Sequence, residues 1–281
     1  MDVLITGGSS TVGTAITDHL ADRDDYRFTF LDLKEHPDPA VKSVIADAAE
    51  YDQLASELKD TDAVIHLANI PLDKGGPWER TVGWSRTHAD NLRLHATIAE
   101  AAVDAGVESL VWASSNHAVG MHEVTNAPDI YYPESDVLEE SALPRPDSMY
   151  GIEKVYGEGL GRLAAEAHGV RFYALRIGAV RDPEYDHPYG DAEAGVDRGE
   201  WTRGSDPYEE QVARLKALWL SRRDCAQLID CCLQDESVSF DVFYGVSAND
   251  RRWLDIEHAR DVLGYQPRNN GDEWESPPAE M

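Results

Sequence analysis

The sequence predicts an α/β fold built on a doubly wound parallel sheet, with a small C-terminal portion added to it. Two observations support this prediction. A glycine-rich turn joins the first apolar segment to a helical segment, and apolar and helical segments then alternate as far as residue 180. Such alternation is typical of parallel sheets, because each connection between parallel strands crosses the sheet as a helix. With 281 residues, the chain can bury a substantial core.

The elements follow one another in this alternating order. The apolar segment DVLIT ends in the turn GGSSTVG, and the helical segment TAITDHLADR follows. Strands are predicted at YRFTFLDL, which closes on Asp32, and at SVIAD, which closes on Asp47. A helix at YDQLASELKD and a buried strand at DAVIHLAN come next. Then follow a helix over 88–105 that stops at Gly106, a strand at VESLVWASS, a long helix over 147–168 and a strand at VRFYALRIG.

The chain changes character after Arg181. Residues 181–208 are rich in Asp, Gly, Pro and Tyr, which predicts a long acidic loop. Beyond this loop the pattern predicts a strand at FDVFYGV and a loose tail, NNGDEWESPPAEM. Helices are expected at 209–220, 222–233 and near 255–263. We therefore divide the chain into a domain over residues 1–180 and a smaller portion over 181–281 that is not an independent domain.

The composition excludes several classes of protein. The formal net charge is −28, from 53 Asp and Glu against 25 Lys and Arg, so the surface repels nucleic acid and anionic membranes. A hydrophobic content of 42% argues against a disordered acidic chain. No signal segment or long apolar run is evident, and three clustered cysteines make no disulfide framework, so a reduced cytoplasm is expected. The excess of acids favours a cytoplasm rich in salt, which screens self-repulsion.

The turn TGGSSTVG has the form of a dinucleotide site and makes the predicted sheet Rossmann-type. Gly7, Gly8 and Gly13 would allow a tight turn, with a pyrophosphate at the N-terminus of the following helix. Asp32 ends the second strand about 20 residues on, where a carboxylate accepts hydrogen bonds from a ribose diol and repels a 2′-phosphate. This favours NAD over NADP, although Lys34 softens the preference. An ordinary glycine-containing turn and a solvated Asp32 are the alternatives.

Tyr150 and Lys154 stand four residues apart in the segment SMYGIEKVYGE. On a helix such residues lie on one face, and their side chains can converge. An ammonium at about 4 Å from a phenolate, at an effective dielectric near 20, stabilises it by roughly 4 kcal/mol. That would lower the pKa of the tyrosine by about three units and make it a base at neutral pH. On this spacing alone, a chance pairing stays open.

Taken together, the motifs resemble the extended short-chain dehydrogenase/reductases, also called the NAD-dependent epimerase/dehydratase family. Their order is the glycine-rich turn, Asp32, Asp47, HLAN, Asn91, SSNH and Y-x-x-x-K. Within the family the chain resembles the uronate dehydrogenases and, more closely, the NAD-dependent glucose-6-phosphate and aldose 1-dehydrogenases of salt-loving archaea. This closer resemblance rests on ASSNHAVG, PRPDSMYGIEK, LRIG, WLSRRDC and YGVSANDRRW. In two departures, Ser10 replaces the family's middle glycine and Asn69 stands where a small residue is usual.

The resemblance implies which residues bind NAD. Asp47 would hold the edge of the adenine, and Leu67 and Ala68 would line the ribose. Lys154 would hold the nicotinamide ribose. The expected cofactor-binding residues are Gly7, Ser10, Thr11, Val12, Gly13, Asp32, Leu33, Asp47, Ala48, Leu67, Ala68, Asn69, Tyr150, Lys154 and Ile177.

The resemblance also implies a catalytic set of Ser115, Tyr150, Lys154 and Asn91. Tyr150 would take the proton from a substrate hydroxyl while hydride passes from the same carbon to NAD⁺. Ser115 would orient the reacting oxygen, and Asn91 would kink its helix to support proton exit to water. Read without the family, Ser115 could be a plain turn residue at a strand end.

Substrate contacts are expected from Ser115, Asn116, His117, Tyr150 and Arg176. Asn116 and His117 could donate hydrogen bonds to sugar hydroxyls or to a carboxylate, but His117 could equally be a satisfied structural histidine. Arg176 either clamps an anionic substrate or braces the edge of the sheet.

Other polar and aromatic residues are assigned no part in the chemistry. His66 is expected in the core. Cys231 and Cys232 are expected to pack, because no second Cys/His pair completes a zinc site, and no metal is expected. Three loop tryptophans could cover a sugar or anchor the chain and stay unassigned: Trp78, Trp84 and Trp201.

The sequence therefore predicts an NAD-dependent sugar dehydrogenase, with residues 1–180 binding NAD and residues 181–281 helping to bind a small-molecule sugar. The reaction would oxidise the C1 hydroxyl of an aldose, an aldose phosphate or a hexuronate to the lactone. A sugar-nucleotide epimerase and a non-catalytic NAD sensor are the alternatives, while a dehydratase would have an acidic residue where Asn116 stands. A homodimer that pairs through 88–105 and 147–168 is expected, without nucleic acid or membrane as partner.

Overall fold

The computed structural model describes residues 1–71, 83–133 and 136–279 of the chain. The strands in these ranges are β1 (Asp2–Thr6), β2 (Arg27–Asp32), β3 (Ser43–Ile45), β4 (Ala63–His66), β5 (Ser109–Ser115), β6 (Arg171–Ile177) and β7 (Phe240–Gly245). Within these ranges they form one seven-stranded sheet in the order β3-β2-β1-β4-β5-β6-β7, and every neighbouring pair is parallel. The carboxyl ends of all these strands therefore lie at one edge of the sheet.

Helices cover both faces of this sheet. Over the described ranges they are α1 (Thr11–Leu20), α2 (Tyr51–Glu57), α3 (Arg86–Ala105), α4 (Met121–Asn126), α5 (Met149–His168), α6 (Gly190–Asp197), α7 (Asp206–Leu218), α8 (Arg222–Gln234) and α9 (Glu257–Leu263). α1 and α8 pack together on one face, while α2, α3 and α5 pack on the other. The predicted doubly wound parallel sheet is confirmed. Among the described residues no helix is both long and apolar enough to cross a membrane.

The strand residues alternate between two hydrophobic clusters. Val3 and Ile5 of β1 belong to the cluster under α1 and α8, while Leu4 between them belongs to the cluster under α3 and α5. Successive side chains of a strand point to opposite faces, so a strand covered on both faces needs apolar residues throughout. This explains why DVLIT and DAVIHLAN are continuous apolar runs rather than alternating patterns.

A serine caps the N-terminus of the long helix α5, and a glycine follows the last residue of α3 and of α5. Ser148 Oγ accepts a hydrogen bond from Gly151 N (3.1 Å), so α5 begins at Met149 rather than at 147. Gly106 and Gly169 follow the two helices with φ of 70° and 78°, a conformation that glycine adopts without strain. The predicted stop at Gly106 is confirmed.

The prediction of a long acidic loop over 181–208 is wrong. A short 3-10 turn, the whole of α6 and the first residues of α7 lie within it. Tertiary contacts hold α6 in place: Arg181 pairs with Asp191, and Trp201 Nε1 donates to Ala192 O (2.8 Å). Turn-forming composition misleads here, because local propensity is weak and tertiary contacts override it.

The tail is packed rather than loose as far as Trp274. Lys216 Nζ donates a hydrogen bond to Trp274 O (2.7 Å), and the Trp274 ring packs edge-to-face on Trp219 with centroids 6.4 Å apart. Earlier in the same portion, β7 extends the sheet beside β6, so residues after 181 share the core of the main domain. A functional boundary near residue 180 stays a prediction.

A buried ion pair joins α5 to the sheet. Arg176 on β6 donates two hydrogen bonds of 2.9 Å, one to each carboxylate oxygen of Glu158 on α5. Ser114 Oγ on β5 donates to the same carboxylate (2.7 Å), and Arg176 also donates to Tyr244 Oη on β7 (3.4 Å). Arg176 is 2% exposed and Glu158 is 6% exposed. Two charges at this depth depend on each other, because removal of one leaves the other buried and unpaired.

Replacement of Glu158 should therefore destabilise the fold. Glu158→Gln keeps the shape of the side chain but leaves Arg176 without a counter-ion, and we expect the free energy of unfolding to fall by about 3–5 kcal/mol. Glu166→Gln is the matched control, because Glu166 pairs with Arg162 on the exposed side of the same helix. That change should cost about 0.5 kcal/mol or less. Urea unfolding in KCl measures both variants, and equal losses would contradict the structural role of the buried pair.

Candidate active site

The turn between β1 and α1 requires glycine at its first position. Gly7 has a φ of +73°, and a Cβ there would lie 2.6 Å from the backbone nitrogen that follows β4. Ser10 caps α1, because its Oγ accepts a hydrogen bond from Gly13 N (3.2 Å). The Ser10 side chain points back to its own helix, so a serine fits at the position where the family has its middle glycine. The backbone N–H groups of Thr11 and Val12 lack helical acceptors, as in any first turn, and can bind an anion.

A cavity of about 420 Å³ opens beside this turn, where β1, β2 and β4 end. Ligands of parallel sheets bind in such a crevice. Nine predicted cofactor residues line this nucleotide cavity: Gly7, Ser10, Asp32, Leu33, Asp47, Ala48, Leu67, Ala68 and Asn69. Its lining extends beyond the predicted set to Ser9, Leu31, Lys34, Ala46, Ile70, Pro71 and Leu94. Most of these added residues adjoin predicted ones at strand ends, which is the signal that could have found them.

The carboxylate of Asp32 is held in place by its neighbours. Its Oδ2 accepts hydrogen bonds from Ser9 N (3.0 Å) and Ser9 Oγ (2.6 Å), and its Oδ1 accepts from Leu33 N (2.7 Å). Asp47 Oδ1 accepts from Ala49 N (2.8 Å) just before α2. A carboxylate has more acceptor positions than these bonds use, so both side chains can still accept hydrogen bonds from hydroxyl or amino groups in the cavity.

Asn69 offers a buried acceptor to the same cavity. Among the described residues its Oδ1 finds no hydrogen-bond donor, while its Nδ2 donates to Ile70 O (3.2 Å). A buried oxygen without a donor costs free energy, and the adenosine half of a dinucleotide supplies hydroxyl and amino donors. The glycine turn, the helix N-terminus, the fixed carboxylate and this unpaired oxygen together fit NAD.

Where β5 ends, Ser115 lies near Tyr150 and Lys154. We call these three residues the candidate reacting centre. Ser115 is the last residue of β5, and its Oγ accepts a hydrogen bond from His117 N (3.2 Å). The Tyr150 ring, in the first turn of α5, packs edge-to-face on the His117 ring with centroids 5.6 Å apart. Lys154 stands one turn further along, with its Nζ 5.2 Å from the centre of the Tyr150 ring. The convergence expected from the spacing is present, and the catalytic roles of these residues stay predictions. Ile177, paired with Ser115 across β5 and β6, ends the next strand.

The ammonium of Lys154 is buried beside neutral histidines. Lys154 is 4% exposed, and its Nζ makes no hydrogen bond to the described residues. Burial, together with the Lys154 charge, lowers the pKa of His66 and of His95 well below the ordinary value, so both rings stay neutral. His66 bonds Thr6 Oγ1 (2.7 Å) and His95 Nδ1 (3.0 Å) within the core, as predicted for it. A buried ammonium with open donors is suited to the hydroxyls of a bound ribose.

The residues after Ser115 add a histidine–carboxylate pair and an amide group with an open donor. Both oxygens of Asp147 lie within 3.0 Å of His117 Nδ1, and Ser148 Oγ donates to the same carboxylate (2.9 Å). Asp147 is missed by the sequence reasoning, although it stands in the motif PRPDSMYG. Asn116 Nδ2 is buried and has no acceptor in the described part of the chain, so it can donate to an oxygen of a ligand.

Asn91 braces the chain that follows β4. Its Oδ1 accepts a hydrogen bond from Ile70 N (2.7 Å), and its Nδ2 donates to Ile70 O (3.1 Å) and to Glu153 Oε2 (3.2 Å). Glu153 pairs in turn with His88; burial raises the pKa of its carboxyl against the opposing effect of His88. α3 continues through Asn91 as one uninterrupted α-helix. The side chain thus joins α3 to the nucleotide cavity, and its part in proton exit stays a prediction.

Arg176 is held within the core by partners of its own chain. Its guanidinium is buried and bonded to Glu158 and Tyr244, which favours the brace over the clamp, and its contact with a substrate stays a prediction. Trp84 is 62% exposed, and Trp78 lies outside the described residues. In the described ranges no group of His, Cys, Asp and Glu could hold a metal ion.

A second cleft, of about 650 Å³, is lined in part by Asp147, the carboxylate that bonds His117. Arg181, four residues beyond the end of β6, also lines it, so it opens at the same edge of the sheet. We call it the acidic cleft. It is lined by Glu123, Val124, Ala127, Tyr131, Asp147, Arg181, Asp191, Arg198, Glu200, Trp201, Glu210, Gln211 and Arg214. The nucleotide cavity and the acidic cleft thus open at the edge of the sheet where β5 also ends, and the cleft reaches the partner of His117.

Comparison with known proteins identifies the family. Residues 3–192 match the model of the NAD dependent epimerase/dehydratase family. The chain is 34% identical over 279 residues to the NAD-dependent glucose-6-phosphate dehydrogenase of Haloferax volcanii, covering 97% of this chain and 95% of that protein. It is 30% identical over 275 residues to the L-arabinose 1-dehydrogenase (NAD(P)(+)) of the same organism, covering 95% and 96%. The chain belongs to the NAD-dependent epimerase/dehydratase family, which confirms the resemblance and the predicted cofactor, NAD.

Solved structures agree with the fold. The crystal structure of uronate dehydrogenase from Agrobacterium tumefaciens superposes with a TM-score of 0.72 at 24% identity, covering 99% of this chain and 91% of that one. A variant of that enzyme was solved in complex with NAD. UDP-glucose 4-epimerases match a smaller part of this chain than the dehydrogenases do.

Proposed function

We propose that this chain is an NAD-dependent sugar dehydrogenase that oxidises the C1 hydroxyl of an aldose, an aldose phosphate or a hexuronate to the lactone. The proposal is carried by the grouping of Ser115, Tyr150 and Lys154 at the end of β5, the same edge of the sheet at which the nucleotide cavity opens. The two Haloferax relatives, both named as sugar dehydrogenases, support it. A protein that only senses NAD has no need of a base and a buried ammonium beside a second cleft.

In the proposed reaction Tyr150 is the base. Its phenol oxygen, with Lys154 beside the ring, takes the proton from the C1 hydroxyl of the sugar. Ser115 Oγ donates a hydrogen bond to that oxygen and fixes the orientation of the C1–H bond. When bound, NAD⁺ supplies the acceptor for the hydride. The C1 hydroxyl loses its proton and C1 loses a hydride, so that C1 becomes the carbonyl carbon of a lactone.

The residues of the nucleotide cavity favour NAD over NADP. Asp32 presents a fixed carboxylate, which accepts hydrogen bonds from a ribose diol but repels a 2′-phosphate. Lys34 lines the same cavity and weakens this preference. The N–H groups of Thr11 and Val12 would hold the pyrophosphate, and Lys154 the nicotinamide ribose.

We also infer a homodimer that works in a salt-rich cytoplasm. α5 leaves Ile152, Tyr156 and Leu163 in water, and a second copy would cover such apolar side chains. The net charge of −28 calls for salt to screen it. Light scattering and thermal melting across a KCl series test both inferences together. We expect the mass of two chains and a melting temperature that rises with KCl, whereas a monomer of equal stability in dilute buffer would contradict both.

Removal of the Tyr150 hydroxyl should abolish oxidation and spare cofactor binding. For Tyr150→Phe we expect kcat to fall roughly 10²- to 10⁴-fold, the range that a positioned base contributes. NAD⁺ affinity, measured by quenching of tryptophan fluorescence, should change little. Tyr51→Phe is the control, because Tyr51 lies on α2 and its hydroxyl donates to the exposed Asp104, away from Tyr150. The assay follows reduced nicotinamide in KCl with aldoses, a sugar phosphate and uronates. Turnover by Tyr150→Phe close to that of the unaltered protein would overturn the assignment.

A further inference from the structure

We propose that the substrate is an uncharged aldose rather than a sugar phosphate or a uronate. The proposal rests on the function proposed above and takes the acidic cleft as the place where the sugar lies. Recognition of a phosphate or carboxylate is strongest where a cation is free to bind it, usually an arginine in a bidentate arrangement. The charges of this cleft are arranged differently.

Two of its arginines are paired at their tips. Arg181 donates to both oxygens of Asp191, one of these bonds being 2.7 Å, and its remaining nitrogen donates to Val180 O (2.9 Å). Arg198 donates to both oxygens of Glu200 (2.8 and 3.0 Å). An anionic substrate would have to displace a carboxylate from either arginine.

The third arginine is paired and buried. Arg214 is 8% exposed and donates to Glu123 Oε1 (2.6 Å), which also accepts a hydrogen bond from Tyr131 Oη (2.8 Å). If Arg214 left Glu123 to bind an anion, the Glu123 carboxylate would stay charged and without its arginine inside the protein, which is costly. Arg214 therefore holds α4 and α7 together.

The cleft as a whole is negative. Its described lining has five carboxylates against three guanidiniums, a formal net charge of −2 with histidine neutral. Glu210 is exposed and pairs with none of the three arginines, and Asp147 holds His117. An anion approaching the reacting centre meets like charges, which lower both its rate of approach and its affinity.

A neutral sugar suits the same groups. Its hydroxyls donate hydrogen bonds, and Glu210 and Gln211 offer acceptor oxygens in the cleft. Asn116 Nδ2, buried and without an acceptor in the described part of the chain, can donate to a sugar oxygen next to Ser115. The Trp201 ring also lines the cleft and offers an apolar surface to the C–H face of a sugar.

Matched pairs of sugars test the proposal with the full chain in KCl. D-glucose is compared with glucose 6-phosphate, and D-galactose with galacturonate, while L-arabinose and D-xylose extend the neutral set. We expect kcat/KM with NAD⁺ to be at least about tenfold higher for the neutral member of each pair. A higher value for the phosphate or the uronate would overturn this inference and leave the dehydrogenase standing. Turnover of none of the sugars, with NAD⁺ still bound, would overturn both.

A charge reversal tests whether the sugar lies in this cleft. Glu210→Lys should raise the ratio of kcat/KM for glucose 6-phosphate to that for D-glucose by about threefold or more, measured at the lowest KCl concentration that keeps the protein folded. Glu209→Lys is the matched control, because Glu209 is the exposed neighbour that does not line the cleft. The same ratio in both variants would place the substrate elsewhere and overturn the argument from the charge of the cleft.

Discussion

The buried pair of Arg176 and Glu158 is the interaction on which the geometry of the site depends. It ties α5 to β6, and Ser114 adds β5 to the same carboxylate. Ser115 follows Ser114 directly, and Lys154 lies one helical turn before Glu158. The pair therefore fixes the two sides of the reacting centre relative to each other. Since neither charge can be buried without the other, the centre is set by the core of the protein before any ligand binds.

On the proposed substrate side, too, buried or half-buried arginines are paired with carboxylates. Arginines near the acidic cleft bind carboxylates of the chain itself, as Arg181 does with Asp191 and Arg214 with Glu123. Lys154 differs from them. It is buried, makes no hydrogen bond to the described residues, and its Nζ lies 5.2 Å from the centre of the Tyr150 ring. In the proposed function this one ammonium serves the tyrosine and the cofactor, while the surrounding charges are neutralised locally or left negative.

Local signals in the sequence predict most of the fold. They do not predict the contacts between segments that lie far apart in the chain. Apolar runs, glycine stops and the Tyr150–Lys154 spacing act within a few residues, so the sheet, the long helices and the convergence of that pair follow from the sequence. Arg176 could be read as clamp or brace because its partner, Glu158, lies on another element and no short pattern links them. Asp147 was missed for the same reason, since its partner precedes it by 30 residues. The sequence predicts a loop where α6 forms, because contacts with Arg181 and Trp201, rather than the local composition, hold this helix.

The most direct test of the proposed reaction follows the hydrogen of C1. A neutral aldose carrying deuterium at C1 is incubated with the chain and NAD⁺ in KCl, and NMR locates the label in both products. If the chain is the proposed dehydrogenase, deuterium moves to the nicotinamide ring in an amount equal to the lactone or aldonate formed. Deuterium that stays in the sugar, with an inverted stereocentre elsewhere and no net reduction of the cofactor, would contradict it and indicate an epimerase.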